Sequence, residues 1–491
     1  MNETAPLMLG VSGLRGIVGK SLTPEVAARF AGAFGTWLKG RTREQRPPVV
    51  LGADGRAGYE PLLRAAEQGL IAAGCSPWSI GIATTPTIGV KADHDDAAGA
   101  MVVTASHNPQ EWNGLKCLVR RERGVEVVSA CAPDAVSAAQ IIERFKESRG
   151  PVKAAEWAPP PAPARDADAC HIGPVADGVG EWPGAGPVRS RRFRVALDSV
   201  NGAGRFAGRH LLAGVLACEL IHQGAEDSGV FPHTPEPTRE NLEALCRTTC
   251  RMNADIGFAQ DPDADRLAIV DERGEYIGEE YTLALAAESL LGSETARQRD
   301  SETGRKDRVL VANLSTSRMI DDIAARYGAR VVRTPVGEAN VVEAMKREKA
   351  AGHDVVLGGE GNGGVIWPRI TYVRDSLSAM ALVLALMART GKKVSELVAA
   401  IPAYAIEKRK VDLARKEDAK PAIDKLAAAH RAQSGTTIDL QDGVRIDWPD
   451  RRSWLHVRAS NTEPIMRLIA ESPTAAESRA ILDQAARVIS G

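Results

Sequence analysis

The sequence predicts an α/β protein with mostly parallel sheets, followed by a separate small α+β domain at its C-terminal end. Short apolar runs typical of buried strands alternate with stretches of helical periodicity as far as Pro402, and this alternation is typical of parallel strands joined by crossover helices. Beyond Pro402 the pattern changes to strand, helix, two strands and a final helix. At 491 residues the chain is too long for one hydrophobic core, so several domains are expected.

The individual elements follow from the spacing of apolar residues. Residues 25–38 carry apolar side chains at helical intervals, residues 48–51 form a short apolar run, and residues 61–74 indicate a helix closed by a glycine. Helical stretches separate the later apolar runs, which predict strands at 98–104, 194–197, 254–259, 309–312, 330–332 and 355–357.

Two stretches mark candidate domain boundaries. Residues 151–190 are rich in alanine, proline and glycine, a composition that favours extended chain and does not build a core. A second, weaker boundary is predicted at the polar stretch 292–306. The predicted division is a domain at 1–150, a linker at 151–190, and domains at 191–295, 306–402 and 403–491.

Composition excludes several classes of function. Lysine and arginine number 62 against 63 aspartate and glutamate residues, a net charge of -1, so nothing favours a nucleic-acid or anionic-membrane partner. No run of about 18 apolar residues or basic, apolar leader is present in the sequence. The seven cysteines are odd in number and show no CxxC spacing. The protein is therefore expected to be soluble, unexported and located in the reducing cytoplasm.

The strongest local motif is Asp261-Pro262-Asp263-Ala264-Asp265-Arg266, directly after an apolar strand. Side chains alternate along extended chain, so the three carboxylates share a face and a curved loop lets them converge on one hard cation, for which Mg²⁺ is the natural choice. A solvated acidic turn is the alternative. A calcium EF-hand is excluded, because Arg266 stands where that loop needs glycine.

A second motif, Thr104-Ala105-Ser106-His107-Asn108-Pro109, ends another apolar strand. A small hydroxyl beyond the carboxyl end of a strand is where α/β proteins place reacting groups. A helix N-cap or a turn serine is the alternative. A hydrolase triad does not fit, because GxSxG is absent and His107, as the next residue in extended chain, is expected to point away from Ser106.

Three further segments suit a phosphorylated sugar, although a surface turn, a plain glycine turn and ordinary surface charges are their respective alternatives. Residues 458–464 offer a guanidinium, hydroxyls, an amide and backbone N–H groups that can hold a phosphate. The glycine-rich loop 358–364 lets the backbone approach a ligand, with Glu360 and Asn362 available for sugar hydroxyls. Arg15 and Lys116 are cations beside glycine turns.

Together, in this order, Gly13-Leu14-Arg15-Gly16, the Ser106 motif, the Asp261 motif, the Glu360 loop and the Arg458 loop resemble the α-D-phosphohexomutase family across nearly the whole chain. The resemblance implies four domains around a central cleft: three related α/β domains with mixed, mostly parallel sheets, and a C-terminal α+β domain. Each domain would give one loop to the site. It also implies a reaction in which a phosphoserine passes its phosphoryl group to a hexose phosphate and a hexose bisphosphate intermediate returns one.

The resemblance also assigns roles to residues. Ser106 would carry the phosphoryl group, and one Mg²⁺ would be held by an oxygen on Ser106 and by Asp261, Asp263 and Asp265. The other candidate catalytic residues are Arg15, Lys116, Arg266 and His107. The candidate substrate-binding residues are Gly359, Glu360 and Asn362 for the sugar, and Arg458, Ser460, Asn461, Thr462 and Arg467 for the non-reacting phosphate.

The chain departs from the family pattern in its sugar loop. Many members have a serine and a histidine where this chain has Asn362 and Gly364, and some have a histidine near Gly337 and Glu338, for which Glu338 is the local substitute. This version of the loop is most similar to archaeal-type phosphoglucosamine mutases, which favours glucosamine phosphate over glucose or mannose phosphates. The expected partner is a small sugar phosphate, and both a monomer and a homodimer stay open.

Two other functions use the same residues. A catalytically silent sugar-phosphate-binding protein would be expected to lack a reacting residue, yet Ser106, the three aspartates, Arg15 and Lys116 are all present. A metal-dependent sugar phosphatase would use the same magnesium site and release inorganic phosphate.

Overall fold

The computed structural model of the protein describes residues 6–120, 129–148, 150, 166–180, 186–293, 307–431, 433–459 and 465–490. Its strands form four separate sheets of six, four, four and five strands, in chain order. Within the described ranges, every helix is too short or too polar to cross a lipid bilayer.

The first sheet has the strand order β1-β2-β6-β5-β3-β4. Strands β3, β4 and β5 pair in parallel, and β1, β2 and β6 add antiparallel pairs at the other edge. Phe30, Phe34 and Leu51 are among the residues of its buried core. Its elements are β1 Met8–Gly10, β2 Gly13–Ile17, α1 Pro24–Lys39, β3 Pro48–Ala53, α2 Glu60–Ala72, β4 Ser76–Ile82, α3 Thr85–His94, β5 Gly99–Val103, β6 Trp112–Val119 and α4 Ala135–Glu147.

The second sheet has the order β10-β9-β7-β8, with β8, β7 and β9 parallel and β10 antiparallel to β9. The Asp261 motif is the connection between β9 and β10, so two neighbouring strands hold both its ends. The elements are β7 Arg194–Asp198, α7 Gly204–Arg209, which continues into a π-helical turn His210–Val215, β8 Glu219–Gln223, α8 Glu243–Arg251, β9 Ile256–Gln260 and β10 Leu267–Val270.

The third sheet repeats this plan with the order β12-β11-β13-β14 and an antiparallel last strand. The glycine-rich loop joins β13 to β14, just as the Asp261 motif joins β9 to β10. The elements are α9 Glu280–Leu291, β11 Arg308–Asn313, α10 Met319–Arg326, β12 Arg330–Thr334, α11 Glu338–Ala350, β13 Asp354–Glu360, β14 Gly364–Ile366, α12 Ser376–Thr390 and α13 Val394–Ala399.

The fourth sheet is fully antiparallel, with the order β15-β19-β18-β17-β16. The prediction of two strands after the first helix of this region is wrong, since the described residues there form four. Strands β15 and β19 alternate between more and less exposed side chains, so they carry no long apolar run. The elements are β15 Ala405–Asp412, α14 Ala419–Arg431, β16 Thr437–Asp439, β17 Val444–Trp448, β18 Ser453–Ala459, β19 Ile465–Ser472 and α15 Ala475–Ser490.

The prediction of extended chain without a core at 151–190 is wrong for its described part. Two helices lie there, α5 Ala167–Gly178 and α6 Pro187–Arg191. The Asp166 carboxylate caps α5 by accepting hydrogen bonds from two backbone N–H groups. Ile172, Val175 and Val188 are buried in the core shared by the second and third sheets. Residues 151–165, 181–185 and 294–306 lie outside the described residues.

Candidate active site

Loops from the first three sheets meet at one end of a cleft. These are the loop after β5 that carries Ser106, the β9–β10 connection and the β13–β14 connection. The cleft has a volume of about 640 Å³, and the residues lining it come from all four sheet regions, including His107, Glu236, Glu360 and Arg458.

The hydroxyl of Ser106 contacts the acidic motif directly. Ser106 Oγ donates a hydrogen bond of 2.8 Å to Asp261 Oδ2, across 155 positions of sequence. The Ser106 side chain is buried, at 1% exposure, and its backbone N–H donates to Thr104 Oγ1 at 2.8 Å. The phosphorylation candidate and the metal-site candidate are therefore neighbours in space.

The prediction that His107 points away from Ser106 is wrong. His107 Nδ1 lies 3.2 Å from Ser106 Oγ, because Ser106 has a φ of 50°, in the left-handed region rather than the extended one. Burial, with the positive charges of Arg266 and Arg15, lowers the pKa of His107 to about 3. The imidazole beside Ser106 is therefore uncharged at neutral pH.

The three aspartates form a cluster with the geometry of a cation site. Asp261, Asp263 and Asp265 are fully buried, and one carboxylate oxygen of each lies within 4.8 Å of the others. Ala264, between two of them, has a φ of 55°, which bends the loop. The Oδ1 atoms of Asp263 and Asp265 accept no hydrogen bond from any described residue. Buried acceptors without partners are costly, and a hard divalent cation satisfies them.

The charges of the cluster are unevenly balanced. Burial, with the Asp265 and Asp263 carboxylates, raises the pKa of Asp261 well above its ordinary value. Burial acts in the same direction on Asp265, but Arg374, Lys116 and Arg266 outweigh it and hold the pKa of Asp265 far below its usual range. The basic neighbours thus keep Asp263 and Asp265 ionised, whereas the charge of Asp261 is the least compensated of the three.

The three predicted catalytic cations lie around the acidic cluster and the Ser106 loop. Lys116 Nζ donates to Asp263 Oδ2 at 2.8 Å and to Asp265 Oδ2 at 2.9 Å. The backbone N–H of Arg266 donates to Asp261 Oδ1 at 3.0 Å. Arg15 is held toward the Ser106 loop by a 2.7 Å hydrogen bond from its guanidinium to Asn108 Oδ1. Lys116, at 5% exposure, is not an ordinary surface charge.

Glu360, at the start of the glycine-rich loop, accepts hydrogen bonds from segments outside that loop. Glu360 Oε1 accepts from Asn313 Nδ2 at 2.8 Å and from the backbone N–H of Gly337 at 3.1 Å. A Cβ atom at Gly359 would overlap the backbone carbonyl oxygen of Gly364, so glycine is needed for the close pairing of β13 and β14. Glu360 and Asn362 both line the cleft.

Arg374 is a site residue that the sequence analysis missed. Its guanidinium donates to Asp265 Oδ2 at 2.7 Å and to Glu360 Oε2 at 2.8 Å, and so joins the Asp261 motif to the glycine-rich loop. The available signal was an Arg-Asp pair inside a mostly apolar stretch before helix α12, where Asp375 caps the helix. Thr85, which donates to Asp263 Oδ2 at 2.6 Å, was missed as well.

Basic side chains of the fourth sheet form the opposite wall of the cleft. Arg458 and Arg467 are direct cross-strand partners on β18 and β19, and Lys410 on β15 is paired with Arg467 in turn. All three line the cleft. Ser460, Asn461 and Thr462 lie outside the described residues.

The sequence matches a set of four family profiles over most of its length. They are described as Phosphoglucomutase/phosphomannomutase, alpha/beta/alpha domain I at residues 6–130, domain II at 177–274 and domain III at 279–404, and the C-terminal domain at 409–488.

Individual proteins match along their whole length. The chain is 35% identical to a phosphoglucomutase/phosphomannomutase of Thermococcus kodakarensis over 97% of both sequences. It is 32% identical to a probable phosphoglucosamine mutase of Methanopyrus kandleri, over 97% of this chain and 96% of that one. A crystal structure of a phosphoglucomutase/phosphomannomutase family protein from Burkholderia thailandensis superposes with a TM-score of 0.78 at 25% identity, covering 98% of both chains.

Proposed function

The chain belongs to the phosphoglucomutase/phosphomannomutase family of phosphohexomutases, and from this premise we propose that it interconverts hexose 1-phosphate and hexose 6-phosphate through a phosphorylated Ser106. The observation that carries the proposal is the 2.8 Å hydrogen bond from Ser106 Oγ to Asp261 Oδ2. It brings a candidate phosphate carrier from the first sheet against a tri-carboxylate cluster from the second.

The donor set fits one Mg²⁺ ion. Asp261, Asp263 and Asp265, with an oxygen on Ser106, would hold it. The Oδ1 atoms of Asp263 and Asp265, which accept no hydrogen bond from any described residue, support this assignment. When bound, such an ion neutralises negative charge on a phosphoryl group in transfer.

The protein's own residues supply the rest of the chemistry. The phosphoryl group passes from Ser106 to the free hydroxyl of the sugar phosphate, which gives a hexose bisphosphate. This intermediate turns over in the cleft, and its other phosphate returns a phosphoryl group to Ser106. Lys116, Arg15 and Arg266 place positive charge around the transferring group, which stabilises it without a strong nucleophile. The uncharged His107 adds a polar contact to Ser106 and no charge.

The rest of the cleft binds the parts of the substrate that do not react. Gly359, Glu360 and Asn362 contact the sugar in this proposal, and Arg458 and Arg467 hold the second phosphate together with Ser460, Asn461 and Thr462. A guanidinium clamp recognises a phosphate whichever carbon bears it. The same wall therefore serves the 1-phosphate and the 6-phosphate.

The preferred substrate in this proposal is glucosamine phosphate. The glycine-rich loop is most similar to that of archaeal-type phosphoglucosamine mutases, and the Methanopyrus kandleri relative at 32% identity is named a probable phosphoglucosamine mutase. Glucose and mannose phosphates are the second candidates, because the Thermococcus kodakarensis relative at 35% identity is named for them.

A coupled isomerisation assay tests the function and ranks the substrates. Glucosamine, glucose, mannose and N-acetylglucosamine 1-phosphates are supplied at matched concentration, with Mg²⁺ and a trace of hexose 1,6-bisphosphate. The proposal expects formation of the 6-phosphate, fastest with glucosamine phosphate. Loss of substrate matched by inorganic phosphate would identify a phosphatase, and binding without turnover of any sugar would identify a sugar-phosphate-binding protein.

The division into four domains, the cytoplasmic location and the monomeric or homodimeric state stay predictions. Four separate sheets, each with its own helices, support the domain division. The proposed reaction requires no nucleic acid or membrane partner.

A further inference from the structure

Arg374 lies where three carboxylates from two different sheets converge. Its two terminal nitrogens bond Asp265 Oδ2 and Glu360 Oε2. Its Nε lies 3.5 Å from Glu338 Oε2, while its backbone N–H donates to Glu338 Oε1 at 3.1 Å. The Arg374 side chain is 9% exposed, and none of the three carboxylate side chains is more than 10% exposed. Each guanidinium nitrogen thus faces a different acidic residue.

The glycine at position 364 makes room for this arrangement. A Cβ atom on Gly364 would overlap the Cδ atom of Arg374 and also press on its Cγ. Arg374 is held at its other end by the following residue, since the Asp375 backbone N–H donates to Val365 O at 2.7 Å. The Arg374 side chain can therefore pass β14 only at Gly364, where the strand has no side chain.

Arg374 is not among the groups expected to touch the transferring phosphoryl group. Its contacts are with the supports of the two ligand sites. It donates to Asp265 Oδ2, on the carboxylate whose Oδ1 accepts no hydrogen bond from any described residue. It also donates to Glu360 Oε2, while Asn313 and Gly337 donate to Glu360 Oε1. Without the guanidinium, the buried carboxylates of Asp265, Glu338 and Glu360 would lose the cation that lies between them. Glu360 would also lose a charge-assisted hydrogen bond.

We propose that Arg374 is a positioning residue that fixes the Glu360 carboxylate for the sugar and links the sugar loop to the Asp261 motif, with Gly364 as the residue that admits it. This inference rests on the proposed function, since it assumes that Glu360 contacts a hexose phosphate. Under this proposal, the affinity for the sugar depends on a side chain that lies outside the glycine-rich loop and outside the Asp261 motif.

The test measures ligand binding in a variant that lacks the proposed phosphoryl carrier, so that catalysis does not affect the result. In a Ser106→Ala background, calorimetry gives the Kd of glucosamine 6-phosphate and glucose 6-phosphate for the parent, Arg374→Ala, Arg374→Lys, Glu360→Ala and the Arg374→Ala/Glu360→Ala pair. We expect Arg374→Ala to raise the Kd at least tenfold and Arg374→Lys to recover part of that loss. We expect the pair to bind no more weakly than Glu360→Ala alone, because Arg374 acts through Glu360.

Gly364→Ala tests the same contact from the side of the glycine. The added methyl group displaces Arg374 without removing it, so the variant should raise the Kd in the parent. It should have little further effect when combined with Arg374→Ala. Arg369→Ala is the matched control: Arg369 lies on the same connection, pairs with Asp177 at the surface, and should leave the Kd unchanged. Melting temperatures of all variants separate local from global damage.

The outcomes are distinct. If the Ser106→Ala parent binds neither hexose phosphate, the proposed function is wrong. If the parent binds but Arg374→Ala does not change the Kd, or if the losses from Arg374→Ala and Glu360→Ala add fully, the positioning role is wrong. An equal effect of Gly364→Ala with and without Arg374 would overturn the pairing of those two positions.

Discussion

The two ends of the cleft differ in how deeply their charged side chains are buried. At the Ser106 end, Asp261, Asp263 and Asp265 are fully buried and fixed by donors from other parts of the chain, such as Lys116. At the end formed by the fourth sheet, the Lys408 side chain is 58% exposed and that of Arg458 is 18% exposed. Phosphoryl transfer needs reacting atoms held at fixed positions, whereas a phosphate that binds without reacting can be held less rigidly. A substrate bound in two orientations requires both kinds of site.

The largest expected effect comes from removing the hydroxyl at the rigid end. Ser106→Ala should lower isomerisation on the order of 10⁵-fold or more, because the proposed mechanism carries the phosphoryl group on the hydroxyl that the variant lacks. Hexose phosphate binding should survive, since the fourth-sheet wall is untouched. Rates come from the coupled assay and Kd values from calorimetry. Retention of more than a few per cent of the rate would contradict the assignment.

The acidic cluster should be the next most sensitive. Asp263→Asn removes one charge and one of the two Oδ1 atoms that accept no hydrogen bond from a described residue. We therefore expect kcat to fall about a hundredfold or more and the Mg²⁺ concentration for half-maximal rate to rise. Magnesium titrations of the rate measure both. Asp424→Asn, which alters an exposed ion pair with Lys420, is the control and should behave like the parent. An unchanged rate at low Mg²⁺ would count against the metal site.

Substitutions in the basic wall of the cleft that the fourth sheet forms should change KM rather than kcat. Arg467→Ala removes a clamp present both before and during transfer, so we expect KM to rise about tenfold to a hundredfold while kcat stays within a few-fold. Arg479→Ala, on an exposed pair with Glu407, serves as the control. Equal losses in kcat and kcat/KM would show that this wall acts in the transition state, and the contrast between the two ends would disappear.

The smallest effect on catalysis is expected from a buried histidine whose hydrogen bonds go to none of the proposed catalytic or substrate-binding residues. His171 bonds Thr87 through Nδ1 at 3.0 Å and Asp375 through Nε2 at 2.9 Å. Burial acts to raise the pKa of Asp375, but His171 and other donors outweigh it, and the pKa is lowered. A carboxyl with a depressed pKa contributes stability above its ordinary pKa of about 3.9, and this contribution is lost as pH falls through the folded-state value.

His171→Ala should therefore lower the free energy of unfolding by about 2–4 kcal/mol at neutral pH, with kcat within about threefold of the parent at 25 °C. The difference in stability should shrink as the pH is lowered below about 4. Denaturant unfolding at several pH values measures it. A difference that grows toward acid pH would contradict this account of the pair.

The residues found from the sequence are those that local motifs carry. Ser106, the three aspartates and Glu360 each follow an apolar strand, and the carboxyl end of a strand places them at the edge of a sheet. The predicted strands were confirmed for the same reason, since buried parallel strands are continuous apolar runs. The amphipathic strands of the fourth sheet lack that signal and were undercounted.

The remaining site residues depend on tertiary structure. Arg374 and Thr85 reach the acidic cluster from 109 and 178 positions away in the chain, and neither belongs to a recognisable motif. The position of His107 was predicted wrongly because the sequence does not reveal the left-handed backbone at Ser106. Helix α5 was missed because its alanines and glycines resemble those of a linker, although Ile172 and Val175 give it a buried face.

The measurement that tests the central claim most directly is the intact mass of the protein before and after exposure to a hexose 1,6-bisphosphate with Mg²⁺. Protein first treated with a phosphatase should gain the mass of one phosphate, peptide mapping should place it on Ser106, and the Ser106→Ala variant should gain nothing. An unchanged mass in the parent protein, or an equal gain in the variant, would contradict a mechanism in which Ser106 carries the phosphoryl group.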